Sequence, residues 1–306
     1  MILKESWNVG AILSTTEDFF KKRGIDTARL DAELILAHTL DLPRERLLAG
    51  RERRLTDIEI SAFRERVRQR AGHKPVAYLL NKKEFFSLPF YVDEHVLIPR
   101  PETEHLVEQA SRWIAHQSKI KNLKSKIQVC EIGAGSGCIA AALARARPEC
   151  SITATEISGP AARIAVKNVA ALGLLGRVRI LHRNLFPFPS DLRFDLIVSN
   201  PPYLSLEEFE ALPPAIRRFE PRLALTDEGD GLTVYRRIFR SAARHIRPDG
   251  ALFLEVSPRI AAALESGGLL ENSPLRLAAL HPDLAGLPRV AELRFTAPAR
   301  HQTVSC

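Results

Sequence analysis

Two periodicities divide the chain. Up to about residue 75 the apolar residues recur at helical spacing. Leu30, Leu34, Ala37 and Leu40 predict one helix, which Asp26 or Thr27 can cap, and Thr56 with Glu59 forms a capping box ahead of Ile60, Phe63 and Val67. The expected unit is a small helical bundle. After Gly72 and Pro75 the texture turns aromatic and β-branched, and EFFSLPFYVDEHVLIPR reads as a hairpin turning at Ser87 to Pro89. These shifts place one domain at residues 1–80, a β-hairpin connector at 81–100 and a second domain at 101–306.

From residue 127 short apolar runs alternate with helical segments. IQVCEI (127–132), SITATE (151–156), VRILH (178–182), DLIVSN (195–200) and ALFLEV (251–256) read as strands, and 138–147, 159–172 and 232–246 as helices. Such alternation predicts parallel strands with crossover helices, an open α/β sheet. Ligands of these sheets bind at the carboxyl ends of the strands, so those ends are where chemistry is expected.

Composition narrows the class. With 306 residues, 45% of them hydrophobic, the chain can bury one large core and a smaller second one. Glu5 and Asn8 interrupt the apolar N-terminus, and no later stretch approaches the roughly 20 apolar residues that span a bilayer. We therefore expect a cytoplasmic protein without a membrane partner. Cys130, Cys138, Cys150 and Cys306 form no CxxC pair and have no histidines at metal-ligand spacing, so buried thiols are expected rather than disulfides or a metal site. The net charge of +8 raises the question of nucleic acid, but the excess is spread along the chain: residues 1–80 carry 15 basic and 12 acidic side chains, and 81–130 carry 8 and 6. A nucleic-acid face shows a focused basic stripe. Arg64, Arg66, Arg68, Arg70 and the Lys119 to Lys126 stretch read as solvated faces, and His38, His73 and His95 as surface or satisfied core residues.

The strand ends carry the candidate chemistry. The first runs through Glu131 into Gly133-Ala134-Gly135-Ser136-Gly137 and straight into a helix, letting backbone turn tightly and approach a ligand. It is not a dinucleotide fingerprint, because Cys138 stands where GxGxxG needs its last glycine. A tight turn without a ligand has the same sequence. The second strand ends at Glu156, whose carboxylate can accept from both hydroxyls of a ribose, so Glu131, the glycines and Glu156 together read as a nucleoside site. Asn184-Leu185-Phe186 after the third offers an amide and an apolar edge to an adenine ring, or a turn-forming Asn.

The fourth strand runs into Asn200-Pro201-Pro202-Tyr203. Its prolines stiffen the corner and donate no N–H, leaving the Pro201 carbonyl as an acceptor. The Asn200 amide accepts one hydrogen bond and donates two, and Tyr203 could form a flat wall. The corner reads as a clamp for a planar NH2 group or, alternatively, as a structural Asn-Pro turn.

EIGAGSG, Glu156 and NPPY together resemble the class I S-adenosylmethionine-dependent methyltransferases that modify planar amino groups. Adding the helical start, residues 72–108 and residues 219–238, the chain resembles the HemK-type release-factor glutamine methyltransferases over nearly its full length. IPRPETE (98–104) is more similar to that branch than to the ribosomal-protein glutamine methyltransferases. The resemblance implies a Rossmann-like seven-stranded class I methyltransferase sheet after a small N-terminal helical bundle that recognises the substrate. It implies that Gly133, Ala134, Gly135, Ser136 and Gly137 cradle S-adenosyl-L-methionine, that Glu156 holds its ribose, that Asn184 and Leu185 lie by the adenine and that Asn200 faces its reactive end. Asn200, Pro201, Pro202 and Tyr203 would hold the substrate glutamine, with Asn200, Pro201 and Tyr203 catalytic. The implied reaction methylates the amide nitrogen of the GGQ-motif glutamine in class I peptide chain release factors, on a monomeric enzyme without a metal or a direct nucleic-acid substrate.

Three departures stand out: Glu131 and Asn184 where the family often has Asp, and Glu255-Val256-Ser257-Pro258-Arg259 where it often has Glu-Ile-Gly and then Gln. The last is expected to alter a supporting loop without touching the clamp. Two rival readings share these features. An adenine-amino methyltransferase would use the same clamp but needs a base-flipping surface and focused basic charge. A non-catalytic S-adenosylmethionine-binding adaptor would have no use for the clamp.

Overall fold

The two periodicities fold as two units in the computed structural model, which describes residues 7–121, 126–187, 192–271 and 273–295. The first unit runs to Lys82 and takes in Pro213–Phe219, and the second comprises Lys83–Leu212 and the chain from Glu220 on.

The first unit carries α1 (Val9–Lys22), α2 (Ala28–Thr39), α3 (Arg44–Ala49), α4 (Asp57–Ala71) and α5 (Val76–Leu80). Its N-terminal signals act locally: Asn8 accepts from the Ala11 N–H at 2.8 Å, and Thr56 and Glu59 exchange both bonds of the capping box. Thr27 stands at the N-cap of α2, yet its side chain makes no capping bond. Of the expected stripe Ala37 is buried but Leu30 is 41% exposed, and the rest of the buried apolar face of α2 is Ala28, Ala32, Ile35 and Leu36. Two carboxylates are buried on the same helix. Asp31 pairs with Arg70 at 2.7 Å, and Glu33 with Arg29 and Arg44 at 2.9 and 2.6 Å, which compensates for taking them out of water.

In the second unit, β1 (Lys83–Phe85) and β2 (Leu88–Phe90) form a hairpin whose two loop residues, Phe86 and Ser87, both have positive φ. The turn thus falls earlier than Ser87–Pro89, because a two-residue loop with both φ positive matches the strand twist, and Pro89 pairs with Glu84. α6 (Thr103–Lys121) follows, and then β3 (Ile127–Ile132), α7 (Cys138–Ala146), β4 (Cys150–Glu156), α8 (Gly159–Ala171), β5 (Val178–His182) and β6 (Phe194–Ser199). The short helices α9 (Leu206–Glu210) and α10 (Pro214–Phe219, in the first unit) precede α11 (Thr233–His245), β7 (Ile246–Glu255), α12 (Pro258–Glu265), β8 (Leu275–Pro282) and β9 (Pro288–Phe295).

Seven strands form one sheet in the order β5-β4-β3-β6-β7-β9-β8, parallel except for the antiparallel β7-β9-β8 end. Side-chain alternation splits each central strand between two cores. Val129, Leu196, Val198 and Phe253 join the cluster that contains α6 and α7 residues such as Leu106, Ile114 and Leu143. Cys130, Ile197, Leu252 and Leu254 join Tyr235 and Phe239 of α11 and Ile260 of α12. In β8, at the sheet edge, most residues are only half-buried or exposed. Chain order reverses between β3 and β6, and the crevice at such a switch point is where a doubly wound sheet binds its ligand.

Candidate active site

Register brings the relevant strand ends level. Ile132 pairs with Thr155 on one side and with Ser199 on the other, so the chain leaves β3, β4 and β6 at one height. The Ser199 hydroxyl donates to the Ile132 carbonyl at 2.7 Å and ties the two exits together. Beyond them lies a cavity lined by Gly133, Ala134, Gly135 and Ser136 from the first exit, by Asn200, Pro201 and Pro202 from the second, and by Glu156, Asn184 and Leu185 of the other expected residues.

The glycine turn is open where a ligand must approach. Gly133 and Gly135 have φ of +78° and +54°, and a Cβ on either would meet no atom within 4 Å. Gly137 serves a different purpose: it does not line the cavity, and a Cβ there would come within 3.2 Å of the Ala165 Cβ, so its absent side chain lets the start of α7 pack on α8.

Glu156 is 7% exposed and held at both oxygens: Gly135 N–H donates to Oε2 and Ser158 N–H to Oε1, each at 2.8 Å. Its carboxylate plane is fixed before any ligand arrives, and each oxygen keeps a lone pair. Glu131, by contrast, is fully buried and does not line the cavity; its Oε2 accepts from the Ala140 N–H of α7 at 3.0 Å. Burial pushes its carboxyl well above the usual range, so it braces the glycine turn from behind rather than touching a nucleoside. Leu185 has a φ of +60°, an uncommon conformation for leucine, and its carbonyl accepts from the Thr155 hydroxyl.

The segment after the hairpin supplies a wall that the sequence reading did not assign to the site. His95, Val96, Leu97, Pro99 and Arg100 line the cavity. Asn168 of α8 ties this segment to the glycine turn: its Nδ2 donates to the carbonyls of Tyr91 and Ser136 at 2.9 and 2.8 Å, while Oδ1 accepts from the Tyr91 N–H at 2.8 Å. At the far end the buried Glu220 accepts from the Ile98 N–H at 3.2 Å and pairs with Arg100 at 2.5 Å. Leu223, Ala224, Val234 and Arg237 extend the lining and were also unassigned. Cys138 reaches it too, but burial pushes its thiol up to about 12, so it is not a nucleophile at neutral pH.

At the proline corner, Asn200 donates from Nδ2 to the Thr103 hydroxyl oxygen at 3.2 Å. Tyr203 is half-buried and packs against the core cluster that contains Tyr235 and Ile260. Its carbonyl accepts from Arg259 Nη2 at 2.7 Å, and Arg259 also bonds the Asp230 carbonyl at 2.9 Å. The Ser257-Pro258-Arg259 departure therefore does reach the clamp, through the loop end. Gly231 belongs to the same junction: it has a φ of +74°, and a Cβ there would clash with the Tyr203 carbonyl.

Cys130, Cys138 and Cys150 are free and buried, and Cys306 lies outside the described residues, as does part of the Lys119 to Lys126 stretch. Among the described residues no helix is long and apolar enough to cross a membrane, and no cluster of three or more His, Cys, Asp or Glu is placed to hold a metal.

Comparison with known proteins bears on this geometry. Residues 11–80 match the PrmC N-terminal domain and residues 106–212 the methyltransferase small domain. A release factor glutamine methyltransferase of Rhodopirellula baltica is 40% identical over 294 residues, covering 94% of this chain and 96% of its own. A bifunctional methyltransferase of Rickettsia prowazekii is 36% identical over 298 residues, and the chain spans 57% of its length. Among solved structures, the hMettl16 catalytic domain in complex with MAT2A 3'UTR hairpin 6 aligns with a TM-score of 0.54 at 18% identity, covering 76% of this chain and 84% of that one, a likeness of fold.

Proposed function

Because the chain belongs to the release factor glutamine methyltransferase family, we propose that it uses S-adenosyl-L-methionine to methylate the side-chain amide nitrogen of a glutamine in class I peptide chain release factors, the glutamine of their GGQ motif. The observation that carries this is the level meeting of the glycine turn and the proline corner in one cavity, a nucleoside cradle beside a clamp for a planar amide. Bound there, S-adenosylmethionine would supply an electrophilic sulfonium methyl group; the transfer exchanges the S–C bond for an N–C bond and releases one amide proton to water.

The chain's own residues supply position. Gly133 and Gly135 leave room for the ligand, and the fixed carboxylate of Glu156 offers one lone pair to each ribose hydroxyl. Asn184 and Leu185 flank the adenine. An amide nitrogen is a poor nucleophile because its lone pair is delocalised, so activation must come from orientation. The Asn200 side-chain oxygen and the Pro201 carbonyl accept the two N–H hydrogens of the substrate, aim the nitrogen and stabilise the positive charge that develops on it. The helical unit recognises the protein around the glutamine, and the enzyme works as a cytoplasmic monomer on protein rather than nucleic acid.

Incubation with labelled cofactor and, separately, a release factor, DNA and RNA tests the reading. Label is expected in the release factor and lost when its GGQ glutamine is changed to asparagine. Label in DNA or RNA instead would overturn it.

A further inference from the structure

Resting on that reading, we propose that the outer face of α11 is a docking surface, a stripe of arginines that receives an acidic patch of the release factor beside the glutamine in the clamp. The buried side chains of α11, Tyr235, Ile238, Phe239, Ala242 and His245, lie on one side of the helix. At about 100° per residue, Arg237, Arg240 and Arg244 fall together on the other, and all three are exposed. Their i, i+3, i+7 spacing makes a stripe about 10 Å long, and α11 carries no acidic residue to interrupt it.

The charge on this stripe is left uncompensated. Arg236 of the same helix pairs with Asp230, and Arg247 of β7 with Asp195, each at 2.7 Å. Arg222 and Arg259 have carboxylate partners as well, Glu228 and Glu208. The guanidinium groups of Arg237, Arg240 and Arg244 have neither an ion pair nor a hydrogen bond among the described residues. The helix macrodipole favours a cation only in the last turn, where Arg244 stands, so it gives Arg237 and Arg240 no reason to be basic.

The stripe starts at the active site. Arg237 lines the cavity with Asn200, and so does Arg183 from the exit of β5, also exposed and without an ion pair among the described residues. A protein whose glutamine lies in the clamp thus leaves the cavity beside free cations. Carboxylates match them, because the planar fork of arginine donates two parallel hydrogen bonds to one carboxylate. Single-stranded nucleic acid is anionic as well but binds by stacking bases on aromatic side chains among the cations, and the rings of α11, Tyr235, Phe239 and His245, are all buried. Exposed ion pairs are individually weak and screened by salt, so the stripe serves capture of the substrate and leaves the chemistry at Asn200 untouched.

Reversing two charges outside the cavity, Arg240→Glu with Arg244→Glu, tests the stripe on the full chain. In steady-state methylation of a release factor at about 0.1 M salt and saturating cofactor, KM for the release factor should rise about tenfold or more, with kcat within about threefold of the parent and cofactor affinity unchanged. Arg240→Lys with Arg244→Lys keeps the charge and should hold KM within about threefold of the parent. At about 1 M salt, where the Debye length is about 3 Å, the glutamate variant and the parent should converge. Arg240→Ala with Arg244→Ala replaces the glutamate variant should that one not fold. An unchanged KM, a loss confined to kcat, an equal loss in the lysine variant or a difference that persists at high salt overturns the proposal. So does binding of a single-stranded RNA by the parent with a Kd below about 1 μM, tighter than ordinary non-specific binding, that is lost in the glutamate variant, since the stripe would then belong to nucleic acid. Failure of the parent to methylate a release factor overturns the substrate reading and the stripe with it, whereas normal methylation by the parent with an unchanged KM in the variant overturns the stripe alone.

Discussion

The glycine turn after β3 and the proline corner after β6 leave neighbouring strands at the same height, yet they are built in opposite ways. The turn presents backbone: Gly133 and Gly135 clear the space, and the one carboxylate beside them, Glu156, is fixed by N–H groups of the turn and of the next helix. The corner presents one side chain, Asn200, whose amide donates to Thr103 of α6 and whose loop is held at Tyr203 by Arg259. A backbone cradle depends on local conformation and tolerates changes far away. A single oriented amide inherits every weakness of the residues that orient it.

Substitutions at the two corners should therefore separate cleanly. The largest effect is expected at the amide itself. Asn200→Ala removes the acceptor, and Asn200→Asp places a negative charge where a neutral amide stood. Since one preorganised hydrogen bond aimed at a transition state is worth about 10²- to 10³-fold, kcat in single-turnover methylation should fall at least that far in either variant, with cofactor affinity nearly unchanged. An alanine variant within about threefold of the parent, far short of one such bond, would reduce the corner to a structural turn.

The buried Glu255 at the end of β7 has a signature of its own. Burial, partly opposed by Thr103 and by Arg289, pushes the Glu255 carboxyl from an ordinary 4.5 to about 7. The folded protein thus keeps a proton that the unfolded chain has already released. Glu255's contribution is fully present below about 4.5 and is lost as pH rises through about 7, up to about 3 kcal/mol by proton linkage. Glu131 adds to the same trend. Urea unfolding between pH 5 and pH 8 should show stability falling as pH rises, and Glu255→Gln should flatten part of that slope. An unchanged slope would mean that Glu255 titrates normally.

On the cradle side, Gly135→Val fills the space the ligand needs and strains a backbone at φ +54°. Cofactor affinity measured by calorimetry should drop by about tenfold or more, the scale of overpacking a formed site, while the fold persists. Unchanged affinity would remove the glycine turn from the cofactor site. The smallest effect is expected from Arg259→Ala, which frees the Tyr203 and Asp230 carbonyls. At roughly 1 kcal/mol for a hydrogen bond of this kind, kcat should fall by about threefold to tenfold and cofactor affinity should not change. A loss as large as that of Asn200→Ala would show that the loop end, not the amide, governs the corner.

Much of this site is legible in the residues alone because its signals are local. The glycines of the turn, the carboxylate ending a strand and the prolines after Asn200 each constrain their own few positions of backbone, and the alternation of runs and helices predicts the parallel sheet that brings them level. Where the structure adds to the reading, the deciding partner is distant. Gly137 looks like its neighbours Gly133 and Gly135, and a Cβ there would meet Ala165 of the next helix. Tyr203 also packs against the core cluster that contains Tyr235 and Ile260. Arg259, read as part of a supporting loop that does not touch the clamp, donates to the Tyr203 carbonyl.

The sequence by itself determined the sheet, the helical unit, the glycine cradle and the presence of an amide at a stiff corner, because periodicity, positive-φ glycines and proline act over a few residues of chain. Which way that amide points was decided only in the tertiary structure. Asn200 donates to Thr103 from the start of α6, a partner 97 positions away in the chain. Hydrogen-bond direction passes through contacts in space, and no spacing along the chain encodes it.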